Sequence, residues 1–125
     1  MSQSGILTAS GSGGGGFVWN VVTSAANPVT LLGGHGFIPK GVGVVNFILP
    51  ASATVGESFK ILGYGNLYTI TQNAGQSITL GVSSTSVGVG GSLAASQVRD
   101  SVEITCVTAN TEFQIENSVG NLIFT

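Results

Sequence analysis

His35 is the single histidine of the chain and Asp100 its single aspartate, so a Ser-His-Asp hydrolytic triad would need those two and one of many serines. They stand 65 positions apart, His35 is flanked by glycines, and no nucleophile-elbow motif surrounds any serine. A turn or interface histidine is the better reading, and no enzymatic activity is expected. Glu112 and Glu116 lie four apart on a strand-like run and point to one side. Paired carboxylates do glycosidase chemistry when held about 5–10 Å apart across a cleft. Here they read as the solvated face opposite Phe113 and Ile115, with Glu103 doing the same on a neighbouring strand. Cys106 is the only cysteine and shares a face with Val102 and Ile104, which makes it a small buried apolar residue. Gly11, Gly13 and Gly16 have GxGxxG spacing, but no strand precedes them and no helix follows, so the match is compositional. Zinc needs three or four His, Cys or carboxylate ligands, and the case for such a site within one chain is weak. His35 becomes a metal or anion ligand only if three copies bring it to a threefold axis. No cofactor is expected.

Binding asks for less. Trp19, Tyr64 and Tyr68 could stack on sugar rings, because each offers an apolar face with a polar handle. Tyr68 shares a strand face with Ile70, which argues for the core, and Trp19 suits a core or a subunit interface equally well. Tyr64, between Gly63 and Gly65, is the best candidate for an exposed contact, since loops carry function.

These residues must be positioned by strands. Phe59 and Ile61, Tyr68 and Ile70, Ile78 and Leu80, the set Val102, Ile104 and Cys106, and then Phe113 and Ile115 all recur two apart. Two is the strand period, so each set lines one face of a sheet. β-branched and aromatic residues dominate the runs, which favours strands over helices. The fold class is all-β: short antiparallel strands forming a β-sandwich or β-prism-like module. Strands are expected over 17–23, 29–32, 44–49, 58–62, 67–72, 76–80, 99–108, 112–117 and 122–124. The 44–49 segment, apolar on both sides, predicts a strand covered on both faces. Phe37 to Gly41 reads as an extended connector, and Asn73-Ala74-Gly75 as a hairpin turn. Residues 82–97, rich in Ser, Gly and Val without a period, predict a loop that is functional or packed on a neighbour. Residues 1–16 read as a flexible Gly/Ser-rich leader and 17–125 as one domain.

Composition narrows the partners. Only 6% of the residues are charged, whereas Ser, Thr, Asn and Gln number 40. An ordinary domain is about 25% charged, so the water-facing surface is mostly neutral and polar. The net charge of −2 provides no basic footprint for nucleic acid and no polybasic segment for an anionic membrane. No apolar run approaches the ~20 residues of a spanning helix. Met1 to Gly16 has neither the basic nor the apolar region of a secretory signal. Export by another route, release by lysis, or origin as a piece of something longer is therefore expected. With few charges to guard its sheet edges, the module is expected to cover them by closed association.

Three stretches stand out in combination: Asn46-Phe-Ile-Leu-Pro50, Val55-Gly-Glu-Ser-Phe59 and Ile70-Thr-Gln-Asn-Ala-Gly-Gln76. Trp19-Asn-Val-Val-Thr23, Gly90-Gly-Ser-Leu93, Asp100-Ser101, Cys106-Val107 and Ser118-Val-Gly-Asn121 fit the same pattern. Residues 17–125 resemble a C-terminal module of collagen-like, phage tail-fibre-like and surface proteins of bacteria, their phages and giant viruses. The resemblance implies an intertwined homotrimer at the tip of a fibre or appendage, on a virion or cell surface. It carries over no catalytic residues, and the leading expectation is adhesion to a cell-surface glycan or protein receptor. That pattern often has an aromatic or Gly-Gly-Trp near the Gly63–Leu67 bend, where this chain has Tyr64 and Tyr68, so a contact made there is expected to take a different ligand. The runner-up is a purely structural trimerisation domain.

Overall fold

The structure, a computed structural model, describes residues 16–125. All of the expected leader but Gly16 lies outside the described residues. Among those described, the chain forms twelve strands and one short 3₁₀ turn, Ser24–Ala26. The strands are β1 (Val18–Val22), β2 (Val29–Thr30), β3 (His35–Pro39), β4 (Val45–Ile48), β5 (Ser58–Leu62) and β6 (Tyr68–Thr71). They continue as β7 (Ser77–Leu80), β8 (Ser83–Ser84), β9 (Ser92–Ala94), β10 (Ser101–Thr108), β11 (Glu112–Val119) and β12 (Ile123–Phe124). Seven make one sheet in the order β1-β3-β5-β10-β11-β7-β8, and five make the other in the order β12-β9-β6-β4-β2. The two sheets pack as a sandwich.

The expected antiparallel pattern holds only in part, because both sheets are mixed. From β1 to β7 each strand crosses to the opposite sheet, so neighbours in sequence never pair. A strand that returns after one crossing runs the same way as the strand it left. Hence β1, β3 and β5 are mutually parallel, as are β2, β4 and β6. Parallel pairing ordinarily needs a long crossover, and here a strand of the facing sheet serves as that crossover. Antiparallel pairing enters later, where β10 joins β5 to β11 and where β9 joins β6 to β12.

The inward faces match the period-two reading. Phe59, Ile61, Tyr68, Ile70, Ile78, Val102, Ile104, Cys106, Phe113 and Ile115 are all buried between the sheets, and Leu80 packs against them. Aromatic rings run through this layer, with Phe37 to Phe47 at 5.6 Å, Phe47 to Tyr68 at 6.1 Å and Phe59 to Phe113 at 6.0 Å. Two expectations need correction. The 37–41 segment is not a connector: His35–Pro39 is a central strand paired on both sides. Strand β4 is covered on one face only, with Val45 and Phe47 inside and Asn46 exposed.

The expected hairpin at Asn73-Ala74-Gly75 is also absent. Strand β6 belongs to the five-stranded sheet and β7 to the other, so this turn joins sheets rather than paired strands. Its amides are fastened outward. Asn73 Nδ2 donates to Leu49 O (2.9 Å), and Gln76 Nε2 donates to Pro50 O (2.8 Å) and Asn110 O (3.0 Å). Gln76 Oε1 in turn accepts from Asn73 N (2.8 Å). Buried Gln72 directs its Nε2 at the carbonyls of Gln76 (2.7 Å), Ser86 (2.9 Å) and Gly88 (2.9 Å), and its Oε1 accepts from Thr85 Oγ1. The 82–97 segment, which also contains β8 and β9, is thereby held against the crossover from inside. Truncating Gln76, itself buried, removes its bonds to the half-buried Pro50 carbonyl, the Asn110 carbonyl and Asn73 N, each worth about 0.5–1.5 kcal/mol. Gln76→Ala is therefore expected to lower the urea-unfolding free energy by about 3 kcal/mol, and a loss below about 0.5 kcal/mol would refute this role.

Candidate functional site

Tyr64 stands on the turn between β5 and β6, and that turn is tied down on two sides. On one side Gly63 packs so closely on the Arg99–Asp100 backbone that a Cβ there would stand 2.1 Å from Asp100 O. Gly63 N also donates to Ser101 Oγ (3.0 Å). On the other side buried Asn66 sends Nδ2 to the carbonyls of Gly43 (2.5 Å) and Lys40 (3.4 Å). The first tie brings Arg99 beside Tyr64 and the second brings Lys40. Lys40 Nζ lies 4.9 Å from the ring centroid and Arg99 Cζ 5.0 Å, while Tyr64 remains 48% exposed. One accessible ring thus carries two cations by cation–π attraction.

The third cation does likewise: Lys60 Nζ is 6.0 Å from the ring centroid of Trp19. Trp19 is 43% exposed and covers Gly36, whose hypothetical Cβ would stand 2.6–2.9 Å from three atoms of its six-membered ring. The carboxylates find neutral donors instead. Glu57 accepts from Thr54 N, Glu103 from Asn117 Nδ2, Glu112 from Thr108 Oγ1 and Glu116 from Thr105 Oγ1. Asp100 Oδ2 accepts from Ser96 N (2.9 Å), Ser96 Oγ (3.1 Å) and Gln97 N (3.2 Å). All three cations of the chain therefore sit on exposed aromatic rings, where a ligand could meet ring and charge together.

The other sequence candidates are dispersed. Tyr68 is not available for contact: it is 0% exposed, and its hydroxyl donates to Asp100 O at 3.0 Å. His35 Nδ1 lies 3.1 Å from Asn20 Nδ2, and the ring stacks on Phe37. Asp100 is occupied with Ser96 and Gln97, so the two triad candidates have separate partners. Glu112 and Glu116 lie exposed on the outer side of β11, opposite Phe113 and Ile115. Among the described residues no three His, Cys, Asp or Glu side chains group to hold a metal. Sequence reasoning named Tyr64 and Trp19 but missed Lys40, Arg99 and Lys60 as their partners. The Lys40 and Arg99 contacts arise from loop ties that leave no periodic trace. No protein-family model matches the chain, and no curated protein matches it.

Burial first, and the Asp100 charge second, raise the Tyr68 phenol well above its ordinary value of 10.0. Unfolding frees the phenol to ionise near that ordinary value, so above it the unfolded chain binds fewer protons than the folded one. The Tyr68 contribution is complete below about pH 10 and declines as pH rises further. Tyr68→Phe is expected to cost about 1 kcal/mol at neutral pH. That difference from the wild type should shrink and then reverse above about pH 10 in urea titrations, and a constant difference would overturn the assignment.

Proposed function

We propose that this chain is a structural and adhesive module at the tip of a fibre or surface appendage, on a virion or cell exterior. In this reading it forms a homotrimer and binds a cell-surface glycan or protein, with no catalytic step. The observation that carries the adhesive part is Tyr64, an open aromatic ring held between Lys40 and Arg99 on a turn that the fold makes rigid. A ring presents its face to the apolar side of a sugar or side chain, and the adjacent cations supply donors for hydroxyl or acidic groups.

Support for self-association comes from the five-stranded sheet. Its outward side shows two cross-strand rows, Thr30-Ile48-Thr71-Ser92 and Asn46-Thr69-Ala94-Ile123. Neither row contains a charge. Every charged residue located on a strand, namely Lys60, Glu103, Glu112 and Glu116, belongs to the seven-stranded sheet. A neutral face of this kind can pack against a copy without burying unpaired charge. The same face favours the second reading, a trimerisation domain with no ligand.

Light scattering is expected to give three chains of 12.5 kDa each, persisting on an unheated denaturing gel. Thr71→Lys, exposed at the centre of the neutral face, is expected to yield folded monomers. A wild-type monomer removes the trimer from the proposal. On a glycan and receptor array, Tyr64→Ala is expected to weaken binding about tenfold or more with assembly intact. Binding that ignores Tyr64 would end the adhesive role of this turn, and a trimer that binds nothing would establish the second reading.

A further inference from the structure

The outward side of the seven-stranded sheet is built differently from the neutral face. Cross-strand register sets Trp19, Gly36, Lys60, Glu103 and Asn117 in one row over five adjacent strands. At about 4.8 Å per strand the row spans about 19 Å. At one end Trp19 lies across Gly36, which fixes the ring against the sheet and leaves it 43% exposed. At the other end is an open groove of about 230 Å³ whose lining includes Lys60, Leu62, Glu103 and Asn117. A β-bulge opposite Glu103 shapes its far wall. The extra residue, Glu116, turns to Thr105 Oγ1 (2.6 Å), while Asn117 sends Nδ2 to Glu103 Oε1 (3.2 Å). Bulges re-aim side chains in this way beside binding sites.

We infer that this row is a saccharide subsite separate from Tyr64, with Trp19 as its stacking platform and Lys60, Glu103 and Asn117 as its polar edge. Its ligand is a neutral pyranoside chain. A sugar hydroxyl donates once and accepts through two lone pairs, so it needs donors and acceptors side by side. Lys60 gives donors only, Glu103 acceptors only, and Asn117 both. The single positive and single negative charge cancel across one register pair, Lys60 and Glu103, so the edge favours a neutral polyol over an ion of either sign. Leu62 offers an apolar floor for ring carbons. The subsite shares with the adhesive reading only its ligand class and stands without Tyr64.

Trp19 is the only tryptophan, so its fluorescence is a single-site signal placed in this row. The intact chain is titrated with neutral gluco-, galacto- and manno-oligosaccharides, and with a carboxylated oligosaccharide for comparison. A saturable shift of emission is expected with at least one neutral series and a weaker response with the acidic one. Asn117→Ala and Glu103→Gln, at an exposed and a half-buried position of long strands, are expected to weaken that response about tenfold while thermal melting stays cooperative. Gly36→Ala, which displaces the ring, is expected to change the starting emission and also weaken binding, measured by calorimetry. Tyr64→Ala should leave the response unchanged. No saturable response to any neutral series overturns the inference, as does a response that survives both Asn117→Ala and Glu103→Gln. A response lost in Tyr64→Ala alone assigns binding to the turn, overturning this subsite while leaving the adhesive reading in place.

Discussion

Asp100 is the joint on which the two sheets and the exposed turn all depend. It is 3% exposed, and its carboxylate is held by the backbone and hydroxyl of Ser96 and the backbone of Gln97, with no cation among these partners. Several hydrogen bonds of this kind are what permit a carboxylate to be buried at acceptable cost. Its carbonyl accepts from Tyr68, a core residue of the five-stranded sheet, at the point where the chain enters β10 of the other sheet. That same carbonyl is what Gly63 packs against. Gly120, at φ 96°, closes over the carboxylate, where a Cβ would overlap Oδ1. One residue thus ends a loop, ties two sheets and seats the turn that bears Tyr64.

Side-chain alternation made the interior legible because burial depends only on which face a residue shares, and the strand period of two fixes that. Strand β5 follows its expected bounds of 58–62, and the β10–β11 hairpin forms around Asn110, whose φ of 67° suits the tight turn. Partner choice was not legible, because period two says nothing about which sheet a strand joins. Asn73-Ala74-Gly75 has the residues of a hairpin, yet the energetics are settled by Gln72, Gln76 and Asn73 satisfying carbonyls far along the chain. Strand β3 was hidden for a related reason. Gly36 and Pro39 are weak strand formers, and Gly36 is required there because Trp19 occupies the space of a side chain.

The candidate surfaces were readable as residues but not as arrangements. Tyr64 stood out through its flanking glycines, and one of them, Gly63, proves to be a close-packing position. Tyr68, whose face shared with Ile70 already argued for the core, finds a backbone acceptor for its hydroxyl there, which removes the usual reason for a tyrosine to reach water. Lys40 and Arg99 lie 24 and 35 positions from Tyr64 and meet it only because Asn66 and Gly63 fasten the turn between them. The row from Trp19 to Asn117 has members in five strands, so no local window contains it.

The scarcity of charge gains meaning from its placement. Five strands without a charged residue form one sheet, and the strand-borne charges all fall on the other. Edge strands and flat faces invite pairing unless charge or a partner protects them. In the proposed trimer the neutral sheets face inward, where no ion must be desolvated and the hydroxyl and amide groups need only find hydrogen-bond partners. The seven-stranded sheets then face outward, and each cation rests on an open aromatic ring rather than on a carboxylate. A carboxylate partner would compete with any ligand for those donors, whereas a ring holds the cation loosely and leaves its donors free. Low charge is then no deficit: it keeps the inner face neutral and leaves the few outer charges available to a ligand.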